Sequence, residues 1–231
     1  MKMLQPTSTR AFTIVEAFII LALLAGLMAF VAFPFWRQHG CYAQRINCIN
    51  NLKQVGLGFR TWALDNGDKY PMQVSITNGG TMELTATGYA FSHFSVLSNE
   101  LSTPRILFCP QETDPIRYPA TTFAGTAPVG SVNIVPFTNN NSLSYFVGVD
   151  ATDEDPQRVL TGDRNLCVNG VMVRRRFLAI STNSVVTWTS PRHEKGGNLG
   201  LSDGSVMQIG DRALIKAFQQ CQSGTNRLLL P

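Results

Sequence analysis

Residues 17–36, AFIILALLAGLMAFVAFPFW, carry no charged side chain. As an α-helix, a run of about 20 residues is roughly 30 Å long, which matches the hydrocarbon core of a bilayer. A secretory signal is the competing reading, but its apolar region runs for only about 7–15 residues and ends in a small-x-small cleavage site. Here Ala22, Ala25, Gly26, Ala29 and Ala32 are never two positions apart, which argues against ordinary signal cleavage. Their spacing instead places small side chains along one helical face, where a second helix backbone can approach closely. Pro34, near the end of the run, removes one backbone hydrogen bond and kinks a helix that contains it. A plain membrane anchor accounts for this length equally well.

It does not account for Glu16. A carboxylate at the head of an apolar helix is costly in lipid and calls for a designated partner, or for a position in the first turn where the helix dipole favours it. The surrounding residues are Arg10-Ala11-Phe12-Thr13-Ile14-Val15-Glu16. This stretch resembles the class III signal of type IV pilins and type II secretion pseudopilins. The resemblance implies that a prepilin peptidase cuts between Ala11 and Phe12, that Phe12 becomes an N-methylated terminus, and that Glu16 is the fifth mature residue. Ala11 stands where that family usually has Gly. In a staggered filament the Glu16 carboxylate then meets the terminal amine of a neighbouring subunit inside an apolar sheath, where low dielectric strengthens the pair and leaves either charge expensive alone.

The helical pattern runs on past the membrane segment. Tyr42, Ile46, Ile49, Leu52, Val55, Phe59 and Trp62 recur at steps of three or four and predict one apolar face, ending near the turn cluster 65–68 and Pro71. Beyond it, short strands are expected at 105–109, 143–149, 176–180, 185–189, 198–202 and 205–209, with short helices at 91–101 and 213–221. Asp203-Gly204 between the last two strands predicts a tight hairpin, and 121–141, rich in Gly, Pro, Thr and Asn, a long surface loop. The expected fold is α+β and pilin-like: a long N-terminal helix, half in the membrane and half amphipathic, packed on a small antiparallel sheet. Its divisions are a leader at 1–11, a membrane and filament-core helix at 12–36, and a soluble domain at 37–231.

A second resemblance is narrower. Residues 47–56 and 62–71, Ser98-Asn99-Glu100-Leu101-Ser102-Thr103-Pro104 with Cys109-Pro110, and Ser144-Tyr145-Phe146-Val147-Gly148 look like the prepilin-like proteins abundant in Planctomycetes and Verrucomicrobia. Their C-terminal signature, His followed after nine residues by Asp-Gly, is matched here by His193 and Asp203-Gly204. From this resemblance Cys48 and Cys109, both inside the shared motifs, are the first choice for a disulfide, and Cys167 with Cys221 the second. The five cysteines form no CxxC pair, so metal-cluster spacing is absent.

Other chemistry is thinly represented. Gly200-Leu201-Ser202-Asp203-Gly204 matches G-x-S-x-G, but a nucleophile elbow needs a helix after the serine and a later histidine, and His39, His93 and His193 all precede Ser202. His193 with Glu194 and Asp203 lacks zinc-site spacing, so a histidine tying its loop to the hairpin is expected instead. Asp150, Asp153, Glu154, Asp155 and Asp163 make an acidic loop without EF-hand spacing that reads by default as solvated, although oxygen-rich loops can hold calcium. The major pseudopilin has a calcium site near its C-terminal end, so Asp150, Asp153 and Asp155 are calcium candidates by resemblance; no other cofactor is expected. Of the 19 Lys and Arg residues, Lys2 and Arg10 precede the cut, and the rest barely outnumber the 15 Asp and Glu, leaving no nucleic-acid stripe. Arg174-Arg175-Arg176 reads as a solvated strand edge or turn rather than a phosphate-binding patch. Trp62 and Trp188, at helical and strand spacing, read as core rather than as a sugar platform.

The resemblances imply a structural subunit of a pseudopilus or pilus-like filament. It would be held in the inner membrane by a single pass with its C-terminal domain in the periplasm. Its partners would be prepilin peptidase, other pseudopilin subunits and the secretion machinery, and no enzymatic activity is expected. The alternative is a membrane-tethered binding module that recognises polysaccharide or a secreted protein.

Overall fold

The computed structural model describes residues 13–126, 133–174, 177–189, 196–220 and 224–231, with backbone alone for 32–42. The chain is α+β, with an apolar N-terminal helix and antiparallel sheets. It divides into two units, Met1–Ala43 and Gln44–Pro231.

Helix α1 spans Ile14–Asp65. It stops at a turn in which the Asn66 and Asp68 amides both donate to the Ala63 carbonyl, with Gly67 and Asp68 at positive φ. Within the second unit its buried stripe is Cys48, Leu52, Val55, Phe59, Trp62 and Ala63. The stripe therefore starts at Cys48: Ile46 is exposed and Ile49 only half-buried, although both fit the expected period.

The segment after α1 is a chain of short turns. Helix α2, Ala90–Ser95, and helix α3, Ser98–Leu101, divide the single helix expected at 91–101. The strand expected at 105–109 is instead a 3-10 turn, Pro104–Leu107. Pro104 fixes the φ of its first position, and the Thr103 hydroxyl caps it by accepting from the Arg105 amide. Within the expected loop at 121–141, the described residues hold a Thr122–Pro136 bridge and the start of the 3-10 turn Asn140–Ser142.

The strands are β1 (Tyr145–Gly148), β2 (Val159–Asp163), β3 (Leu166–Val168), β4 (Val171–Met172), β5 (Phe177–Ser181), β6 (Val186–Trp188), β7 (Gly196–Leu201), β8 (Val206–Gly210) and β9 (Thr225–Leu229). Helix α4, Asp211–Gln219, follows β8. Among the described residues, six strands form an antiparallel sheet in the order β5-β9-β1-β2-β7-β8, and β4-β3-β6 form a second one. One small sheet was expected; the second arises because Leu166–Val168 pairs with both β4 and β6.

Both faces of the larger sheet are covered, and side chains alternate between them. Tyr145, Val147, Leu160 and Leu229 join the core containing α1, whereas Phe146, Val159, Leu228 and Leu230 join a second core with Leu214 and Phe218 of α4 and Trp188 of β6. Trp62 and Trp188 both lie in these cores. Close strand approach requires glycine at 162, because a Cβ there would sit 2.8 Å from both the Asn198 carbonyl oxygen and the Phe146 ring.

Candidate functional site: the apolar helix and its anchorage

The stretch Ile14–Val31 is long and apolar enough to cross a membrane, and none of it is buried. Phe18 is 68% exposed and Phe30 80%. A Cβ added at Gly26 would meet nothing within 4 Å, so the small-residue face is open as well. Exposing side chains of this kind to water costs roughly 1.5–3 kcal/mol each relative to burial, so the segment calls for an apolar surround.

Glu16 closes the N-terminus of this helix. Thr13 is the N-cap: its amide donates to Glu16 Oε2 at 2.9 Å and its hydroxyl to the same oxygen at 2.8 Å. The Glu16 amide in turn donates to Thr13 Oγ1 at 3.3 Å. This reciprocal arrangement is a capping box, and its T-x-x-E pattern at Thr13-Ile14-Val15-Glu16 was the signal for a role that the family resemblance left unread. Ala11 and Phe12, the expected processing residues, lie outside the described residues, as does His193.

The other half of α1 is fastened at two places. Cys48 and Cys109 form a disulfide with a Cα–Cα distance of 5.4 Å and a sequence separation of 61. Cys109 follows a 3-10 turn, so the bridge joins the helix to an irregular segment and not to a strand end. Cys167 on β3 carries a free thiol, and Cys221, its expected partner in the second pairing, lies outside the described residues.

The second fastening is the Asp203-Gly204 turn between β7 and β8. The Gly204 amide donates to the Leu201 carbonyl, the Leu201 amide to the Ser205 carbonyl, and Gly204 sits at φ +83°. A type of three-residue hairpin loop ends with a left-handed residue in this way, and glycine occupies that position without a Cβ penalty. The Asp203 carboxylate accepts the Ser205 amide at 2.8 Å and so holds the turn from within. Helix α1 then docks on its carbonyls: Arg60 Nη1 donates to the Asp203 oxygen at 2.7 Å. Tyr70 Oη donates to the Ser202 oxygen at 2.6 Å, and burial pushes the Tyr70 phenol up to about 12. A Cβ on Gly56 would lie 3.4 Å from the Gly204 Cα, so backbone meets backbone there.

Ser202 is buried and followed by β8, so the strand–turn–helix of a nucleophile elbow is absent around it. The acidic loop does not converge either. Asp150 accepts hydrogen bonds from the Arg227 amide and guanidinium and lies 3.7 Å from Arg158. Asp153 faces Arg60 at 3.8 Å and Asp155 faces Arg158 at 3.8 Å. Asp163 belongs to β2, where its buried carboxylate accepts the Asn198 amide at 2.7 Å and side-chain Nδ2 at 3.0 Å. Among the described residues no group of three or more His, Cys, Asp or Glu is placed to hold a metal ion. Arg174 is exposed, and Arg175 and Arg176 lie outside the described residues.

Comparison with protein-family models, curated proteins and solved structures returns no match for this chain.

Proposed function

We propose that the chain is a non-catalytic, pilin-like subunit of a pseudopilus or related filament, held by helix α1 in a membrane before assembly. The carrying observation is the uncovered apolar stretch Ile14–Val31, headed by a carboxylate in its first turn. Lipid satisfies such a surface in the unassembled subunit, and the same stretch of other subunits satisfies it in a filament. The Cys48–Cys109 disulfide favours an oxidising compartment for residues 37–231, in keeping with a periplasmic domain on an inner-membrane anchor. Prepilin peptidase acting between Ala11 and Phe12, sister subunits, and the secretion machinery are the partners of this reading.

Mass spectrometry of the chain recovered from cells that contain a prepilin peptidase tests it. The expected product begins at N-methylated Phe12; an intact terminus at Met1 in all recovered chains overturns the reading.

A further inference from the structure

Away from α1, two segments border an open cleft of about 570 Å³ lined by residues 87–89, Phe91 and residues 138–141. That volume lies within the range of small-ligand sites, about 300–1,000 Å³. None of its lining residues is charged, although 15% of the chain is. Arg117, bonded to the backbone of this segment, is turned inward, donating to the carbonyls of Asn140, Leu143 and Pro231.

The cleft is held in shape by its own polar groups. Asn140 Oδ1 accepts the Phe91 amide at 3.0 Å and its Nδ2 donates to the Gly88 carbonyl at 3.4 Å, which clamps one wall to the other. Asn139 Oδ1 accepts the Asn141 amide at 2.8 Å, and its Nδ2 donates to the Tyr118 phenol at 3.2 Å. Tyr89 stands at the mouth, 58% exposed. Its ring meets Phe91 edge-on at 6.0 Å, Phe91 meets Phe137 at 6.1 Å, and Phe137 meets Phe123 at 5.6 Å. Phe137 is only 3% exposed, so a ladder of rings anchors the open Tyr89 face to the core. An exposed aromatic is usually mobile; this one is braced, which lowers the entropy cost of using it to bind.

A fixed aromatic face, exposed hydroxyls at Tyr89 and Thr138, side-chain amides and no charge are the chemistry that suits an uncharged polyol. An anion would find no cation among the residues that line the cleft. We infer that this cleft binds a neutral carbohydrate, one pyranose ring of a glycan stacking on Tyr89 while its hydroxyls meet Thr138 and the 139–141 wall. The inference does not depend on whether the chain polymerises.

Affinity electrophoresis tests it, using the full chain in a detergent without a sugar headgroup. Native gels would be cast with hydroxyethylcellulose, dextran, galactomannan or, as the acidic control, alginate. At least one neutral polysaccharide is expected to retard the protein. Tyr89→Ala is expected to weaken that retardation about tenfold, and Tyr89→Phe to preserve most of it. Tyr89 is largely exposed, so both variants are expected to melt with the parent chain. Mobility unchanged by all three neutral polymers, retardation by alginate alone, or retardation undiminished in Tyr89→Ala overturns the proposal.

Discussion

Thr13 and Thr81 each fix one titratable side chain, in opposite surroundings. Thr81 Oγ1 lies 2.7 Å from Nδ1 of His93, which is fully buried, and burial pushes the imidazole down to about 4. An unfolded histidine takes up its proton near pH 6.5, so between about 6.5 and 4 the unfolded chain binds more protons than the folded one. The stability that the neutral ring preserves is therefore complete above pH 6.5 and is lost as pH falls toward 4, by about 3 kcal/mol in all. His93→Gln is expected to flatten this acid-side slope, read as the difference between urea midpoints of the two proteins across that window. Thr13 acts at the head of α1, where Glu16 serves both as cap and, in the proposed filament, as charge partner. Glu16→Gln separates the roles, because an amide oxygen still accepts from Thr13 but carries no charge. Filament yield from Glu16→Gln is expected to fall steeply, whereas Thr13→Ala, which removes the cap hydroxyl, costs only about 1 kcal/mol of helix stability. Normal assembly by Glu16→Gln means that capping alone explains the residue.

The elements are locked by an ionic cluster beside β2. Glu112, whose side chain is 1% exposed, accepts from Arg164 Nε at 3.2 Å, Arg164 Nη2 at 3.1 Å and the Ser144 hydroxyl at 3.0 Å. Arg164 also donates to Asp114 at 3.0 Å. Burial opposes ionisation of Asp114, but the Ile116 amide and the guanidiniums of Arg164 and Arg117 more than offset it and hold its carboxyl below the usual range. Arg164→Met deprives a buried carboxylate of its guanidinium and is expected to cost about 3–5 kcal/mol in urea unfolding, with part recovered in Glu112→Gln/Arg164→Met. Little of this cluster was legible beforehand, since Glu112, Asp114 and Arg164 follow no motif and meet only through the fold. Strands divide the same way. The β7–β8 hairpin was readable because Asp203-Gly204 marks its turn, and α1 because its apolar residues keep a helical period. Strand β2 was not, because burial on both faces erases the alternation that betrays a half-exposed strand and Gly162 further lowers its apparent strand character; β9 was not, because Thr225, Asn226 and Arg227 leave only two apolar residues in it. At the candidate site, Glu16 and the Cys48–Cys109 pair stood out in sequence, while the Gly56–Gly204 approach, a contact between residues distant along the chain, did not.

For the molecule as a whole, the apolar stretch and the folded unit make different demands on solvent, and the chain meets them in separate units, Met1–Ala43 and Gln44–Pro231. Holding the second unit together covalently, the Cys48–Cys109 link limits the freedom of the unfolded chain across its separation of 61 residues. Reduction, or Cys48→Ala with Cys109→Ala, is expected to lower stability by about 2–4 kcal/mol, seen as a lower thermal midpoint at unchanged circular dichroism. The same bond has a mechanical consequence. If the proposed filament pulls on a subunit through helix α1, the load reaches Cys48, from which the disulfide carries it across to Cys109. Residues 49–108, which include the rest of α1, lie inside the closed loop and cannot be drawn out while the bond holds. Under tension the oxidised chain can lengthen less than the reduced one by roughly 200 Å, the extended length of that loop. In the proposed filament, how far each subunit could be drawn out would thus depend on the redox state of one bond near its base.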